Sequence, residues 1–152
     1  IGSYEELIER CDAATAATAR IKADIRATDA AIERLTLTAK YAATYRQLRP
    51  VYDQYRQSRD KEKFLRGHES EIILFEAAAR ELKRLDAVPV PATKRFHAEL
   101  DELNARRNAL RAEHKKAQQD EKVYDTLRKN VEDLLDKDRP TEPEKQQNNE
   151  LE

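Results

Sequence analysis

The sequence predicts an all-α fold, a long antiparallel coiled-coil hairpin with a helical tip that forms a small three-helix bundle. Apolar residues recur at alternating steps of three and four from Tyr4 onward, which is the seam spacing of a coiled coil. The composition, with 39% charged residues, 6% aromatic residues and two glycines, is typical of long helices. A second apolar stripe of similar length closes the chain and supplies an antiparallel partner. We therefore predict one hairpin domain over residues 1–139, with its tip at about 49–91.

The first helix has a clear start signal and a clear stop signal. Ser3 and Glu6 have the spacing of a capping box, which predicts a start at Tyr4. Pro50 disfavours helical geometry at the residue before it and suits a first helical turn, so the helix is predicted to end near Arg49 and a second to begin there. Beyond residue 35 a second apolar row predicts two partner helices, through Leu37, Tyr41, Thr44 and Leu48.

The middle of the chain predicts short helical pieces followed by one strong helix. The polar SRDKEK stretch and Gly67 interrupt the pattern, and a helix is predicted over about 69–85. Apolar residues cover more than one face of this helix, which is typical of a helix packed between neighbours. We therefore expect Leu74 and Phe75 to be largely buried.

The last third of the chain predicts a stiff connection, a long helix and a tail. Two prolines within AVPVP, residues 87–91, exclude a continuous helix there. Helical periodicity returns over about 92–136, and its length matches that of the first helix. Residues 140–152 are polar and acidic without aromatic residues, which predicts a disordered acidic tail.

Composition excludes several classes of protein. Two glycines cannot form a glycine-rich phosphate loop, and the longest apolar run, IILF at 72–75, is far shorter than a membrane span. The single Cys11 cannot form an internal disulfide, lies in the apolar seam and is expected to be a buried thiol. We expect a soluble, cytoplasmic protein. The chain starts with Ile1 and contains no methionine, which indicates a piece of a longer protein.

No catalytic or metal-binding pattern is visible in the sequence. His68, His97 and His114 are separated by 29 and 17 residues, which is not the spacing of paired metal ligands. The cysteine has no evident base partner, and the carboxylates follow ordinary helical faces. We therefore predict no catalytic residue, no metal, no cofactor and no small-molecule substrate.

Charge is unevenly distributed along the near-neutral chain. Residues 40–66 carry 8 basic and 3 acidic side chains and residues 92–117 carry 7 and 4, whereas residues 1–39 carry 5 and 7. Arginines interleaved with tyrosines in the first basic block could contact phosphates and stack on bases. Equally, the charges could be a solvated face and the tyrosines packing residues. The candidate nucleic-acid contacts are Arg46, Arg49, Tyr52, Tyr55, Arg56, Arg59, Lys61, Lys63 and Arg66.

Three strings, in this order, carry a family resemblance: IGSYEEL at 1–7, RPVYDQYRQSRDKEKFLRGHESEIILFEAAARELKRL at 49–85 and LRKNVEDLL at 127–135. Together they resemble the C-terminal helical region of relaxase/mobilisation nucleases of Gram-positive conjugative transposons. The resemblance implies a non-catalytic companion to a DNA-nicking domain that precedes this chain. Such a module would engage DNA through the basic tip or, alternatively, act as a structural coiled coil that self-associates or docks a transfer-machinery protein.

Overall fold

A computed structural model describes residues 2–138, and over these residues the chain forms three helices and no strand. They are α1 (Tyr4–Gln57), α2 (Lys61–Arg84) and α3 (Thr93–Lys137). The all-α prediction is confirmed, as are the predicted start of α1 and, within one residue, both ends of α3. The predicted tail over residues 140–152 lies outside the described residues.

The start of α1 is fixed by the predicted cap. The Ser3 hydroxyl accepts a hydrogen bond of 3.1 Å from the Glu6 amide, which satisfies one of the amides left free at a helix start. The Glu6 carboxylate accepts a bond of 2.8 Å from the Gly2 amide, one residue earlier than a capping box requires. This bond from Gly2 holds the pKa of Glu6 below its ordinary value.

The predicted end of the first helix near Arg49 is wrong, because α1 continues through Pro50 to Gln57. A proline inside a helix removes one backbone hydrogen bond and costs about 3 kcal/mol. Tyr45 and Tyr52 flank Pro50, and both rings stack on Phe75 of α2, with ring centroids 4.8 and 4.4 Å from its own. Packing on both sides of Pro50 therefore holds the helix together where local preference alone would end it.

The second helix starts earlier than the predicted residue 69. Asp60 caps it by accepting a hydrogen bond of 3.1 Å from the Lys63 amide, and α2 then runs from Lys61 to Arg84. The predicted interruption near Gly67 is present as a kink at His68, whose backbone has φ −136° and ψ 22°. The chain thus forms one kinked helix where two shorter pieces were expected.

The end of α2 is a Schellman motif. The Ala87 amide donates to the Leu82 carbonyl at 2.8 Å, and the Asp86 amide donates to the Lys83 carbonyl at 3.1 Å. Asp86 takes the left-handed conformation that this motif requires, with φ 56°. The predicted proline-rich connection follows, with a cis peptide bond between Val88 and Pro89, and leads into α3.

The chain divides into two compact units. The terminal unit comprises residues up to 23 and from 110 onward, and the central unit comprises residues 24–109. The described buried residues of the terminal unit include Leu7, Cys11 and Leu110, so the expectation of a buried Cys11 is confirmed. The predicted single domain over residues 1–139 stays a prediction.

Within the terminal unit, α1 and α3 run antiparallel. The Tyr4 hydroxyl donates to the Glu132 carboxylate at 2.9 Å, and the Thr15 hydroxyl donates to the Glu121 carboxylate at 3.2 Å. Partner numbers fall along α3 as they rise along α1, which only an antiparallel pair can give. The bond to Glu132 raises the pKa of Tyr4 above its ordinary value.

This register predicts an intramolecular cross-link. In a Cys11→Ala background, we expect Thr15→Cys with Glu121→Cys to be joined within one chain by a short bis-maleimide reagent. The control pair, Thr15→Cys with Arg111→Cys, shifts the second thiol by about 15 Å along α3 and should react far less. Denaturing gel electrophoresis after cross-linking measures both. Dimers from the first pair without intramolecular product would show that the antiparallel register is wrong.

The core of the central unit contains residues from all three helices. Ala42 of α1, Leu82 of α2 and Phe96 of α3 form a buried cluster, and Tyr45 and Val90 pack against it. All three helices therefore pack together in this unit.

The two burial predictions for α2 have opposite outcomes. Phe75 is buried, with 5% of its surface exposed, as predicted, whereas Leu74 is 55% exposed, so its predicted burial is wrong. Adjacent helical residues point about 100° apart, since a turn holds 3.6 residues, and α2 turns only the Phe75 side towards the core.

Candidate nucleic-acid interface

The predicted DNA-contacting residues all lie in the central unit, on the end of α1, the following turn and the start of α2. A short turn between Gln57 and Lys61, which ends in the Asp60 cap, joins the two helices. The cationic members are all exposed, and the two tyrosines are partly buried. We call these cations the basic segment: Arg46, Arg49, Arg56, Arg59, Lys61, Lys63 and Arg66.

Internal partners engage the cations of the basic segment unequally. Arg46 donates from Nη1 to the Thr93 hydroxyl at 3.1 Å. Arg49 donates from Nη1 to the Tyr45 hydroxyl at 3.0 Å and lies 3.8 Å from the Asp53 carboxylate. Four side chains have no hydrogen-bond or ion-pair partner among residues 2–138, and exposed cations of this kind are available to an external anion: Arg56, Arg59, Lys61 and Lys63.

The tyrosines of the candidate site belong to a row of rings that joins α1 to α2. The ring of Tyr52 stacks on Phe75, and its centroid lies 6.1 Å from that of Tyr55. The centroid of the Tyr55 ring lies 6.2 Å from that of Phe64. Phe64 stacks on His68 at 4.4 Å. These contacts favour the packing interpretation of the tyrosines, because part of each ring already faces a neighbouring ring. The predicted role of Tyr52 and Tyr55 in base stacking stays a prediction.

An open groove in the central unit shares two residues, Arg46 and Arg49, with the basic segment. It has a volume of about 610 Å³ and is formed by α1, α2 and the proline-rich connection. Among its lining residues, Arg46 and Arg49 belong to the nucleic-acid contacts predicted from the sequence, and Tyr45 is one of the tyrosines interleaved with them. Lys83 is one cation within a mixed helix and Val88 lies in a short connection, so neither belongs to a pattern. We call this the VPV groove, and its lining residues are Tyr45, Arg46, Arg49, Ala79, Leu82, Lys83, Val88, Pro89 and Val90.

The lining of the VPV groove is cationic and contains no carboxylate. The nearest acidic residue along α2, Glu81, is bound by Arg84, which donates from Nε at 2.9 Å and from Nη2 at 2.7 Å. This pairing raises the pKa of Arg84 above its ordinary value. Arg49 lies 3.8 Å from the Asp53 carboxylate, whereas Arg46 and Lys83 have no ion-pair partner among the described residues. Arg46 and Lys83 therefore leave the groove with a net positive charge.

Over residues 2–138, no group of three or more histidine, cysteine or acidic residues is placed to hold a metal ion. None of the three described helices combines the length and apolar character needed to cross a membrane.

Comparison of the chain with family models, with curated proteins and with solved structures gives no match. The resemblance to the relaxase region therefore rests on the three sequence strings quoted above.

Proposed function

We propose that this chain is a non-catalytic helical module of a DNA relaxase, which helps to hold DNA during conjugative transfer in the cytoplasm. The observation that supports the proposal most strongly is the basic segment, whose cations are all exposed. Four of them have no internal partner among the described residues, as set out above. Phosphate is the natural ligand of such a surface, since lysines and arginines that neutralise phosphates supply most of the affinity of proteins for nucleic acids.

The proposal assigns DNA nicking and DNA holding to different domains of the parent protein. Nicking would take place in a domain preceding this chain, and the helical module would add affinity and position the strand. Phosphate contacts fix where a nucleic acid lies without specifying its sequence. The module would therefore bind DNA of many sequences, and selection of the transfer origin would belong to the catalytic domain.

Binding to labelled oligonucleotides at low salt tests the proposal. We expect fluorescence anisotropy to rise on titration with the chain, for single strands and for duplexes of unrelated sequence. Single-stranded DNA should bind more tightly, because its bases are accessible to apolar and aromatic surface. If neither form binds at low salt, the DNA role is wrong and protein docking becomes the better account.

A second function, self-association or docking of a transfer-machinery protein, is favoured by a separate observation in the terminal unit. Val123 and Leu134 of α3 are 57% and 61% exposed, and Leu127 between them is also exposed. Steps of four and seven residues place the three on one side of α3. The same unit contains a groove of about 320 Å³, which is lined by Arg10, Ala13, Ala14, Ala17, Ala117, Asp120 and Tyr124.

If this apolar stripe joins two copies, Val123→Glu should shift the chain towards monomer. A buried charge in place of an apolar contact costs the interface several kcal/mol. Sedimentation velocity over a concentration series measures the change. Gln118→Glu is the matched control, because Gln118 is exposed and lies about 140° away from Val123 around the same helix. A wild-type chain that stays monomeric throughout the series would rule out self-association.

A further inference from the structure

The VPV groove combines apolar surface with three cations. Phosphate binding by the basic segment gives no role to this apolar surface. We propose that the groove binds one nucleotide of single-stranded DNA, with the base against Val88–Pro89–Val90 and its phosphate against the cations. The inference rests on the proposed function and adds a specific base-binding site to it. With this site, the central unit would bind single-stranded DNA in preference to duplex DNA.

The size and lining of the groove are those of a small-molecule site. Such sites measure about 300 to 1,000 Å³ and are mostly apolar with a few polar groups, and the groove, at about 610 Å³, lies within this range. Ala79 of α2 is partly exposed and supplies apolar surface, and the fully buried Leu82 lies behind it as the floor of the groove. Val88 forms part of the lining and is 63% exposed. The groove therefore offers an apolar surface that a flat base could cover.

The cations of the groove have donors to spare. A guanidinium has five N–H donors, and Arg46 uses one of its own on Thr93. The ammonium group of Lys83 has no hydrogen-bond or ion-pair partner among the described residues. An apolar ligand alone would remove water from these cations without replacing it, and that costs free energy. A free phosphate, in turn, would leave the apolar lining uncovered.

A nucleotide within a strand matches the apolar lining of the groove, its cations and the further cations that follow along α1. Arg49 lines the groove, and Arg56 lies seven residues, two turns, further along the same face of α1. Arg56 has no internal partner among the described residues and is exposed. Cations thus continue from the groove along α1, where the phosphates flanking the bound nucleotide would lie.

Comparison of oligothymidylate with an abasic sugar-phosphate strand of equal length tests the site. The two strands carry the same charge, so phosphate contacts are equal and only the bases differ. We expect the wild-type chain to bind oligothymidylate about 10-fold more tightly, since one base held against protein surface typically contributes an effect of this size. Val88→Asp should abolish this preference, because it places a carboxylate where the base would lie.

Two matched controls separate the groove from general effects of charge. Ile73→Asp changes a side chain on α2 that is 54% exposed, close to the exposure of Val88, and lies outside the groove. It should keep the 10-fold preference. Similarly, Lys83→Gln should weaken binding of both strands more than Arg80→Gln, since Arg80 is exposed on the same helix but does not line the groove. Circular dichroism confirms that each variant is folded.

The outcomes distinguish this inference from the proposed function. Equal affinity for the two strands, or an equal loss of the base preference in Val88→Asp and Ile73→Asp, overturns the nucleotide site. If strand binding still depends on salt in that case, the proposed function is retained. Failure of both strands to bind overturns both. Competition by oligoglutamate as effective as that by oligothymidylate of equal charge would show that the groove accepts acidic peptides, and it overturns the nucleotide site.

Discussion

Phe75→Ala is expected to lower the free energy of unfolding by about 3 to 5 kcal/mol, the usual cost of removing a buried phenylalanine ring. Phe75 is 5% exposed, and both Tyr45 and Tyr52 stack on its ring. Removing the ring leaves a cavity and takes away the packing that holds α1 together on both sides of Pro50. Because native domains are stable by only about 5 to 15 kcal/mol, this loss should be visible as a large fall in the urea midpoint.

The adjacent residue supplies the matched control for this experiment. Leu74 is 55% exposed, and substitutions at exposed positions usually change stability by less than about 0.5 kcal/mol. Leu74→Ala should therefore leave the urea midpoint nearly unchanged. A reversed order, with Leu74→Ala the more damaging, would mean that α2 faces the core with its other side and that the ring row is wrong.

Reversing three cations of the basic segment is expected to weaken binding to single-stranded DNA by about 100-fold at low salt. The variant carries Arg56→Glu, Arg59→Glu and Lys61→Glu, at side chains that have no internal partner among the described residues. A charge-assisted contact contributes about 1 kcal/mol or more, and three such losses correspond to about a factor of 100. Since these exposed side chains form no hydrogen bond or ion pair among the described residues, thermal stability should be preserved. Anisotropy titration measures the loss in affinity.

A second triple variant carries the same change of charge at another place. Arg20, Lys22 and Arg26 are exposed side chains that lie at least 30 positions before Arg56 in the same helix. Reversing them to Glu removes two arginines and one lysine, as in the first variant, and should weaken binding far less. Equal weakening by the two variants would show that net charge and not a localised surface drives binding.

Local signals were sufficient to predict most of the helical boundaries. The start of α1 follows from Ser3 and the Glu6 amide, which are close in sequence and form a contact of 3.1 Å. The bounds of α3 follow from the prolines before it and from sustained periodicity to its end. In each case the deciding residues lie a few positions apart, so the signal is visible in a short stretch of sequence.

The predicted start of α2 is wrong for a local reason, the Asp60 cap on the Lys63 amide, whereas the other wrong predictions concern interactions between residues distant in sequence. Pro50 would end an isolated helix, but rings of α2 pack against α1 on both sides of it. Burial of Leu74 depended on which face of α2 meets its neighbours, which an apolar run covering several faces does not specify. The VPV groove combines α1, α2 and the connection, and no single stretch of sequence contains its pattern.

The salt dependence of binding to single-stranded DNA tests the central claim most directly. Each phosphate neutralised contributes about −0.7 to the slope of log affinity against log salt for a single strand, so four contacts give a slope of about −3. We expect this slope for the wild-type chain and a slope of about −1 after reversal of Arg56, Arg59 and Lys61, as three contacts are lost. A wild-type slope near zero, or one that the reversal leaves unchanged, would contradict DNA binding by the basic segment.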